Sequence, residues 1–437
     1  STASDNQYGV IGSGVDPSVH VARLCSDTAS LPYTAWKIFS YETDPYEPSP
    51  SWFQYAISMG STDLQDPWMS YRYKEIMAND GNMDVTLYCN SGAYGGIAPS
   101  VANLSAEIND GLSLISYIGH GSITSWVTTG FNNSNVNALT NGRMLPWISS
   151  IACNNSEFGG GTQCFGEAWL NSGSQADPRG AIGFMGASVS SPVGPTDSLA
   201  LYQFKGYFQE EMYHMGAAFD YGKIKAYEYT GSTSNSNMHL IFGEPEHDIF
   251  CTTGPLVHMT ATHPGTVTPG NFTVTVATAT DVPVEGALVG LCQGEVTLGS
   301  GRTDGSGSVT INVAEVPTAD DVTLTVTAHN LYPLQETVSA GGSGTGGSSS
   351  GVAAGTALSV NSPVTGTASV SFTVATGGQA RLQVFDMTGR VVETLHDGDV
   401  TAGRHTLSWN PETAGGIYFL RLDVPGSSIV RNCVVLP

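Results

Sequence analysis

The stretch LSLISYIGHGS (residues 112–122) begins as an apolar, strand-like run and places His120 directly after the run ends. A second stretch, LPWISSIACNN (residues 145–155), has the same form and places Cys153 after its strand-like run. In an open α/β sheet, parallel strands bring their carboxyl ends to one edge, where ligands bind. We therefore expect His120 and Cys153 to meet at hydrogen-bond distance, as a thiol nucleophile and its general base require.

Strand-like and helical patterns alternate over residues 1–255, which we interpret as one α/β domain. Short apolar runs predict strands at Val19–Ala22, Gln54–Met59, Val85–Cys89, Leu112–Ile118, Trp147–Ala152 and Ala181–Met185. Helical spacing of apolar residues predicts helices at Tyr33–Tyr41, Ser70–Asn79, Val101–Asp110, Cys164–Asn171 and Leu199–Met215. Such alternation predicts a mostly parallel sheet with helices on both faces.

The hydrophobic period changes to two after residue 255, which predicts two all-β domains, the first of them a β-sandwich of immunoglobulin type. The first covers residues 256–340 and contains alternating runs such as Phe272–Val276 and Val322–Val326. Residues 341–357 are rich in glycine and serine, which is typical of a flexible linker. The second β-sandwich covers residues 358–437.

Composition narrows the class of protein. The 437 residues are too many for one ordinary domain, and their formal net charge of −23 argues against nucleic acid and anionic membranes as partners. No apolar run is long enough to span a membrane. A charged fraction of 12% and 53 glycines are typical of exported, loop-rich proteins, and the polar start Ser1–Asp5 fits a processed, secreted product.

The seven cysteines are an odd number, so one stays unpaired if the others are bridged, and Cys153 is the candidate for the free thiol. Burial without bridging is an equally good interpretation of the other cysteines. Because the sequence has no CxxC or HExxH pattern, we predict no zinc site. We expect no required cofactor; acidic loops of an exported protein are able to hold calcium as a structural ion, although the spacing names no site.

Several segments resemble those of the gingipain-type cysteine peptidases. Residues 111–126 resemble the histidine segment of this family, and residues 139–158 resemble its cysteine segment. The other matching segments are Ser4–Gly9, Arg23, Cys164–Ala168 and Phe242–Pro245, the last with Glu244 where the family usually has aspartate. The resemblance covers about residues 4–250. It implies a caspase-like α/β fold, cysteine endopeptidase chemistry and protein or peptide substrates.

Carried over residue by residue, the resemblance makes Cys153 the nucleophile. His120 becomes the group that takes the thiol proton and later protonates the leaving amine. The backbone N–H groups of Gly121 and Cys153 are the implied oxyanion donors, and a glycine there lets the substrate carbonyl approach closely. Asp63 falls where the family has a glutamate near the histidine, so it is the expected orienting group.

Substrate-binding residues are implied at three positions. Asp66 falls close to the acidic residue that pairs with the substrate arginine in arginine-specific members of the family. Trp126 and Ser188 complete the expected substrate-binding set. Residues 187–193 lack the tryptophan that walls this pocket in relatives. A preference for arginine or lysine before the scissile bond therefore stays open at this point.

The C-terminal module resembles the sorting domain of type IX-secreted proteins and the related flagellar-hook-cap immunoglobulin-like fold, and residues 384–392, 402–405 and 416–420 carry this resemblance. It implies export across an outer membrane, followed by cleavage or by attachment at the cell surface. Family members also have an α/β subdomain before the segment that Ser4–Gly9 resembles. Here that subdomain is expected to be removed by processing, to stay bound as a separate N-terminal fragment, or to be dispensable.

The alternative function is a structural subunit of an extracellular filament or surface layer built on a peptidase scaffold. The chain contains only 15 lysines and arginines, so trypsin-like enzymes find few bonds to cleave. Such resistance to cleavage is what a durable exported material requires. The low charge also leaves neutral polar surfaces that are able to pack. This alternative predicts a homo-oligomer with an interface well above about 1,000 Å².

Overall fold

The chain forms two units in the computed structural model, Ser1–Gly341 and Gly342–Pro437. The structure describes residues 4–10, 16–48, 51–191, 195–318, 320–341, 357–360, 364, 367–374, 376–386, 389–411, 416–425 and 427–435. Residues 342–356 of the predicted linker lie outside the described residues, so the flexibility of that segment stays a prediction.

Six strands form the central sheet of the first unit, and they are Tyr55–Gly60 (β1), Asp84–Tyr88 (β2), Leu114–Ile118 (β3), Trp147–Ile151 (β4), Gly183–Ala187 (β5) and His239–Phe242 (β6). Their order across the sheet is β6-β5-β4-β3-β1-β2. Strands β1 to β5 are parallel, and β6 runs antiparallel at one edge. The prediction of a mostly parallel sheet is therefore confirmed.

The strand register brings three loops together at the carboxyl edge of the sheet. Ile118, the last residue of β3, pairs with Gly60 of β1 on one side and with Ile151 of β4 on the other. The chain therefore leaves β1, β3 and β4 at the same level. Residues that follow these three strands lie side by side, where ligands of open α/β sheets bind.

Helices cover both faces of the sheet. On β3, Leu114 and Ile118 enter one hydrophobic core while Ile115 and Tyr117 enter the other, because successive side chains of a strand point to opposite faces. The helices are Leu31–Thr43 (α1), Asp66–Asn79 (α2), Val101–Asp110 (α3), Phe165–Asn171 (α4), Pro195–Gln209 (α5) and Met215–Thr230 (α6). Shorter helical turns are Asn6–Gly9, Asn90–Gly95, Asn133–Asn137 and Ser234–Met238. No helix in the described ranges is long and apolar enough to cross a membrane.

Two predicted elements differ from the structure, and one observed strand was not predicted. The helix predicted at Leu199–Met215 is confirmed as far as Gln209 but ends there, because the chain breaks between α5 and α6, where Glu211 takes a left-handed conformation with φ of 56°. The strand predicted at Val19–Ala22 is wrong, since the only pairing nearby is an isolated bridge between Arg23 and Phe242. Strand β6 was not predicted because it is only four residues long and follows a polar segment.

The remainder of the first unit is a two-layer β-sandwich. One layer contains Val257–Thr262, Gly270–Thr278, Ser308–Val313 and Leu331–Tyr332. The other contains Thr266–Val267, Leu288–Gln293, Val296–Arg302, Val322–Thr327 and Leu334–Ala340. Alternate residues such as Val274, Leu291 and Val326 are buried between the layers, as the predicted period of two requires. The immunoglobulin-like assignment itself stays a prediction.

The second unit is also rich in strands. A three-stranded sheet contains Ala357–Val360, Ala368–Val374 and Gly403–Trp409. A four-stranded sheet contains Gly378–Phe385, Val391–Val400, Gly416–Val424 and Ser427–Val435. Both sheets contribute to one buried core that includes Leu382, Trp409 and Leu420. This agrees with the predicted β-sandwich, while its resemblance to a sorting domain stays a prediction.

Candidate active site

One cavity of about 380 Å³ opens at the carboxyl edge of the sheet. The loops after β1, β3 and β4 contribute Asp63, His120 and Cys153 to it, and the segment at the start of α5 closes another side. The residues that line it are Asp63, Leu64, Asp66, Ile118, Gly119, His120, Ile151, Ala152, Cys153, Ser191, Thr196 and Asp197. The structure thus brings the three residues of the predicted catalytic set into one site.

His120 is held by Asp63. The Nε2 atom of the exposed imidazole lies 2.6 Å from Oδ2 of Asp63. The loop that carries Asp63 is tied down at its start, because the backbone N–H of Ser61 donates to the carbonyl of Ile118 at 2.9 Å. A carboxylate on Nε2 fixes the orientation and tautomer of the ring, which leaves Nδ1 free to exchange a proton. This is the geometry of an oriented general base.

The thiol of Cys153 is half-buried and hydrogen-bonds to the backbone of Ser191. The Ser191 N–H donates to Sγ at 3.3 Å, and the Ser191 carbonyl oxygen lies 3.6 Å from Sγ. Within the described part of the chain, no hydrogen bond joins Sγ to the His120 ring. The expectation that these two side chains meet at hydrogen-bond distance is therefore corrected: the thiol contacts the backbone of Ser191, while the ring contacts Asp63 through Nε2.

The backbone of Gly121 packs directly on the backbone of Cys153. A Cβ atom built on Gly121 would overlap the Cys153 carbonyl oxygen and would lie 2.8 Å from Cβ of Ala152. Real Cβ atoms do not approach other atoms so closely, so this position accepts only glycine unless the backbone moves. The structure places both predicted oxyanion residues in mutual contact, and their role in holding an oxyanion stays a prediction.

Asn155 was not singled out from the sequence, although it links the two halves of the site. Its fully buried amide group donates to the carbonyl oxygens of Ser122 at 2.7 Å and Ser125 at 3.1 Å. Its Oδ1 accepts from the Ser150 hydroxyl at 2.8 Å. The side chain therefore fastens the loop that follows His120 to the loop that contains Cys153. The feature of the sequence that could have identified Asn155 is its position two residues after Cys153.

Two buried carboxylates share the cavity. Asp66, at the start of α2, is 6% exposed, and Asp197, near the start of α5, is 3% exposed. Burial raises the pKa of Asp66, and the hydrogen bond from the Ser61 hydroxyl, at 2.5 Å, offsets this only in part. The Gln65 side-chain amide donates to the carboxylate of Asp197. Asp197 was missed by sequence reasoning, because an acidic residue near a helix start is usually a solvated cap.

The hydroxyl of Ser61 connects Asp66 at the cavity wall to Asp63 in the loop after β1. It donates to Asp66 and accepts the backbone N–H of Asp63 at 3.0 Å. The residue that orients His120 and the carboxylate at the cavity wall are therefore joined through one serine. Among the predicted residues, the structure brings Asp63, Asp66, His120, Gly121 and Cys153 together.

Two predicted substrate-binding residues do not line the cavity, and these assignments are corrected. Trp126 is fully buried in the core, where its ring stacks on Tyr117 and its Nε1 donates to the Ser150 hydroxyl at 3.0 Å. Ser188 is buried as well, and its backbone N–H donates to the Met238 carbonyl at 2.8 Å. Both side chains are enclosed by protein atoms, so a substrate in the cavity would not contact them.

No group of three or more histidine, cysteine or acidic side chains in the described ranges is arranged to hold a metal ion. The seven cysteines, all within the described residues, form no disulfide in the structure, and Cys89, Cys164, Cys251 and Cys433 are buried. Of the two interpretations that the sequence left open, burial without bridging is the one that the structure shows. The calcium expectation has no location here and stays a prediction.

The sequence profile described as peptidase family C25 matches residues 1–250, which is more than half of the chain. The chain belongs to peptidase family C25. The resemblance to gingipain-type cysteine peptidases is thereby confirmed for the α/β region, and the match ends where the sandwich begins.

Curated relatives of the chain agree with this family assignment. Gingipain R2 of Porphyromonas gingivalis is 24% identical over 356 residues, which cover 78% of this chain and 43% of the relative. Gingipain R1 of the same organism is 25% identical over 262 residues, which cover 56% of this chain and 25% of the relative. The chain therefore spans less than half the length of these curated relatives.

Solved structures show the same fold. The crystal structure of the Arg-specific cysteine proteinase gingipain R matches with a TM-score of 0.70 at 20% identity, covering 77% of this chain and 79% of that chain. The complex of Porphyromonas gingivalis RgpB pro- and mature domains matches with a TM-score of 0.69 at 20% identity, covering 77% of this chain and 80% of that chain. The predicted gingipain-like, caspase-like catalytic fold is confirmed.

Proposed function

We propose that this chain is a secreted or surface-attached cysteine endopeptidase with Cys153 as nucleophile and His120 as general base and acid. The observation that carries the proposal is the 2.6 Å contact between His120 and Asp63 inside the cavity that Cys153 lines. An oriented imidazole next to a half-buried thiol is the arrangement that nucleophilic catalysis requires. Membership of peptidase family C25 supports the same chemistry.

The first half of the proposed reaction forms an acyl-enzyme. With Asp63 bound at Nε2, Nδ1 of His120 accepts the thiol proton, and the Cys153 sulfur attacks the substrate carbonyl carbon. The negative charge that develops on the carbonyl oxygen is stabilised by the backbone N–H groups of Gly121 and Cys153. The imidazolium then returns its proton to the leaving amine as the peptide C–N bond breaks.

The second half releases the product and restores the enzyme. A water molecule gives a proton to His120 and attacks the thioester carbonyl, and the thiolate of Cys153 leaves and takes the proton back. For both halves, substrate entry has to draw the thiol from its contacts with Ser191, since Sγ is engaged there in the free protein. Such contacts commonly rearrange when the Michaelis complex forms.

We propose that the residue before the scissile bond is lysine or arginine. Asp66 and Asp197 place two buried carboxylates on the wall of a cavity whose described lining contains no lysine or arginine. A guanidinium or ammonium group between them would recover the electrostatic energy that burial of the carboxylates costs. The arginine specificity of gingipain R, the Arg-specific proteinase with a similar fold, supports the proposal here by analogy.

Active-site labelling tests this function. Under reducing conditions, an arginyl or lysyl chloromethyl ketone should alkylate Cys153 as the sulfur displaces chloride, and intact-mass and peptide mapping would locate the adduct. Cys153→Ala should abolish labelling, and a norleucyl reagent of the same length should react at least about ten times more slowly if the carboxylates recognise charge. Absence of any adduct on Cys153 would contradict the proposed function.

The cellular setting belongs to the same proposal. We propose secretion or surface attachment, with proteins as substrates and with an N-terminal fragment as partner, as a pro-domain is for RgpB in its solved complex. The sorting-like second unit supports export. The alternative of a filament or surface-layer subunit, and the homo-oligomer that it requires, receives no support from the comparisons.

A further inference from the structure

Three aromatic side chains form an exposed cluster beside the cavity, outside the residues that the proposed mechanism uses. Trp68 and Tyr71 lie on α2, and Tyr94 lies in the helical turn that follows β2. The ring centroids are 5.7 Å apart for Trp68 and Tyr94 and 5.0 Å apart for Tyr71 and Tyr94, the latter two stacked at 21°. Trp68 is 44% exposed and Tyr94 is 49% exposed. We call these three residues the aromatic patch.

Neighbouring charged residues hold the patch in place. The guanidinium of Arg72 lies over the Trp68 ring at 5.6 Å and pairs with Glu75 at 2.6 Å. Glu75 in turn hydrogen-bonds to the phenol of Tyr71 and raises the pKa of that phenol. Rings that are fixed before binding lose little conformational entropy when a partner covers them, which favours binding. Tryptophan and tyrosine in such positions commonly dominate interface energies.

The patch lies on the same sheet edge as the catalytic residues. Cys153 follows β4, His120 follows β3, Asp63 follows β1 and Tyr94 follows β2, and these four strands are consecutive neighbours in the sheet. Leu64, which is 83% exposed, lines the cavity and lies four residues before Trp68. Asp66, the first residue of α2, also lines the cavity, and Trp68 follows it by two residues on the same helix, so the patch begins close to the cavity.

Strand spacing gives the distance between the nucleophile and the patch. Three steps between neighbouring strands, of about 4.8 Å each, separate the loop after β4 from the loop after β2, so the two lie about 14 Å apart. An extended peptide advances about 3.3 Å per residue. A substrate bound at Cys153 would therefore reach the patch with a residue about four positions from the scissile bond.

We infer that the aromatic patch is a substrate-binding surface that takes an aromatic or long aliphatic side chain three to five residues from the cleaved bond of an extended polypeptide. The inference rests on the proposed peptidase function and adds a second specificity element to it. A polypeptide is the favoured occupant because the patch lies next to the cavity in which the proposed function places a polypeptide substrate. Contact between rings and an apolar side chain would lengthen the residence of protein substrates without touching the reacting atoms.

The test uses binding, so that cleavage does not interfere. Fluorescein-labelled twelve-residue peptides with one central arginine and glycine-serine flanks carry a single phenylalanine at successive positions on either side. Their affinity for the full chain with Cys153→Ala is measured by fluorescence anisotropy. We expect phenylalanine three to five residues from the scissile bond, on one side, to tighten binding at least fivefold over serine. Phenylalanine next to that bond should have no such effect.

Variants of the patch complete the test. Trp68→Ala and Tyr94→Ala, each added to Cys153→Ala, should remove the gain, while Trp68→Phe should keep part of it. Tyr229→Ala is the matched control, because Tyr229 is an exposed aromatic residue on α6. A gain that survives Trp68→Ala, or equal losses for phenylalanine and serine peptides, would overturn the inference. Binding of a glucan hexasaccharide that depends on Trp68, with no phenylalanine effect, would also overturn it.

Turnover of a minimal arginyl amide by the wild-type chain separates this inference from the proposed function. Cleavage of that short substrate without any phenylalanine effect would refute the aromatic patch and leave the peptidase intact. A phenylalanine effect without cleavage would refute the peptidase function and leave the patch as a peptide-binding surface.

Discussion

Removal of the Asn155 side chain should both destabilise the α/β region and inactivate the site. Asn155→Ala deletes three hydrogen bonds: two partly buried bonds given to the Ser122 and Ser125 carbonyls and one buried bond received from Ser150. Each net bond contributes about 1 kcal/mol, and buried partners left without a substitute add to the loss, so we expect about 3–5 kcal/mol less stability. The loop after His120 would then lose its link to Cys153, and kcat on a minimal peptide should fall at least about 100-fold.

Urea unfolding followed by tryptophan fluorescence measures the first effect, because every tryptophan except Trp409 lies within residues 1–255. Asn135→Ala is a matched control, since Asn135 lies on a short helix, where its Oδ1 accepts the backbone N–H of Asn132 and its own backbone N–H donates to Oδ1 of Asn132. That variant should lose about 1 kcal/mol and keep its kcat. An Asn155→Ala protein within 1 kcal/mol of wild type, or one with full kcat, would refute the claim that this amide joins the two loops.

Three further changes test the site and the fold. Gly121→Ala should lower kcat/KM at least about 100-fold, because the new Cβ would overlap the Cys153 carbonyl. Gly159→Ala is the control and should keep its kcat/KM, because no atom lies near the position of its new Cβ. Equal activities of the two variants would contradict this prediction. Asp63→Asn should lower kcat about 10- to 100-fold with little change in KM. This loss is smaller than the loss expected at a buried carboxylate, because Asp63 is exposed. An unchanged kcat would remove Asp63 from the mechanism. Burial lowers the pKa of Lys37 to about 7, so between pH 7 and 10 the unfolded state binds the extra proton and stability should rise by about 1.4 kcal/mol per pH unit. Lys37→Met should remove that rise in urea titrations at pH 7, 8 and 9, and identical slopes would refute it.

The sheet and the catalytic residues could be predicted from the sequence because their signals are local. The apolar runs before His120 and Cys153 are buried at every position of β3 and β4, and each ends where a polar loop begins. Parallel strands then place the two loops at one edge, and no further information was needed. Asp63 required the family resemblance, since nothing in its own neighbourhood distinguishes it from a solvated loop residue.

The parts that were missed depend on contacts between segments far apart in the chain. Asp197 becomes a wall of the cavity only because α5 packs beside the loop after β1, and Asn155 becomes a link only because residues 122–125 fold back over it. Trp126, the last residue of the segment that resembles the family's histidine segment, was predicted to bind substrate. A short hairpin of Gly121–Ser122 and Ser125–Trp126 places its ring in the core instead, where it stacks on Tyr117.

Turnover of a peptide panel tests the central claim most directly. The peptides differ only in the residue before the scissile bond, with arginine, lysine, norleucine, glutamine and glutamate compared under reducing conditions. We predict cleavage after arginine or lysine, at least about tenfold faster than after norleucine, and complete loss of cleavage in Cys153→Ala. Cleavage that persists in Cys153→Ala, or no cleavage of any peptide by the wild-type chain, would contradict the account.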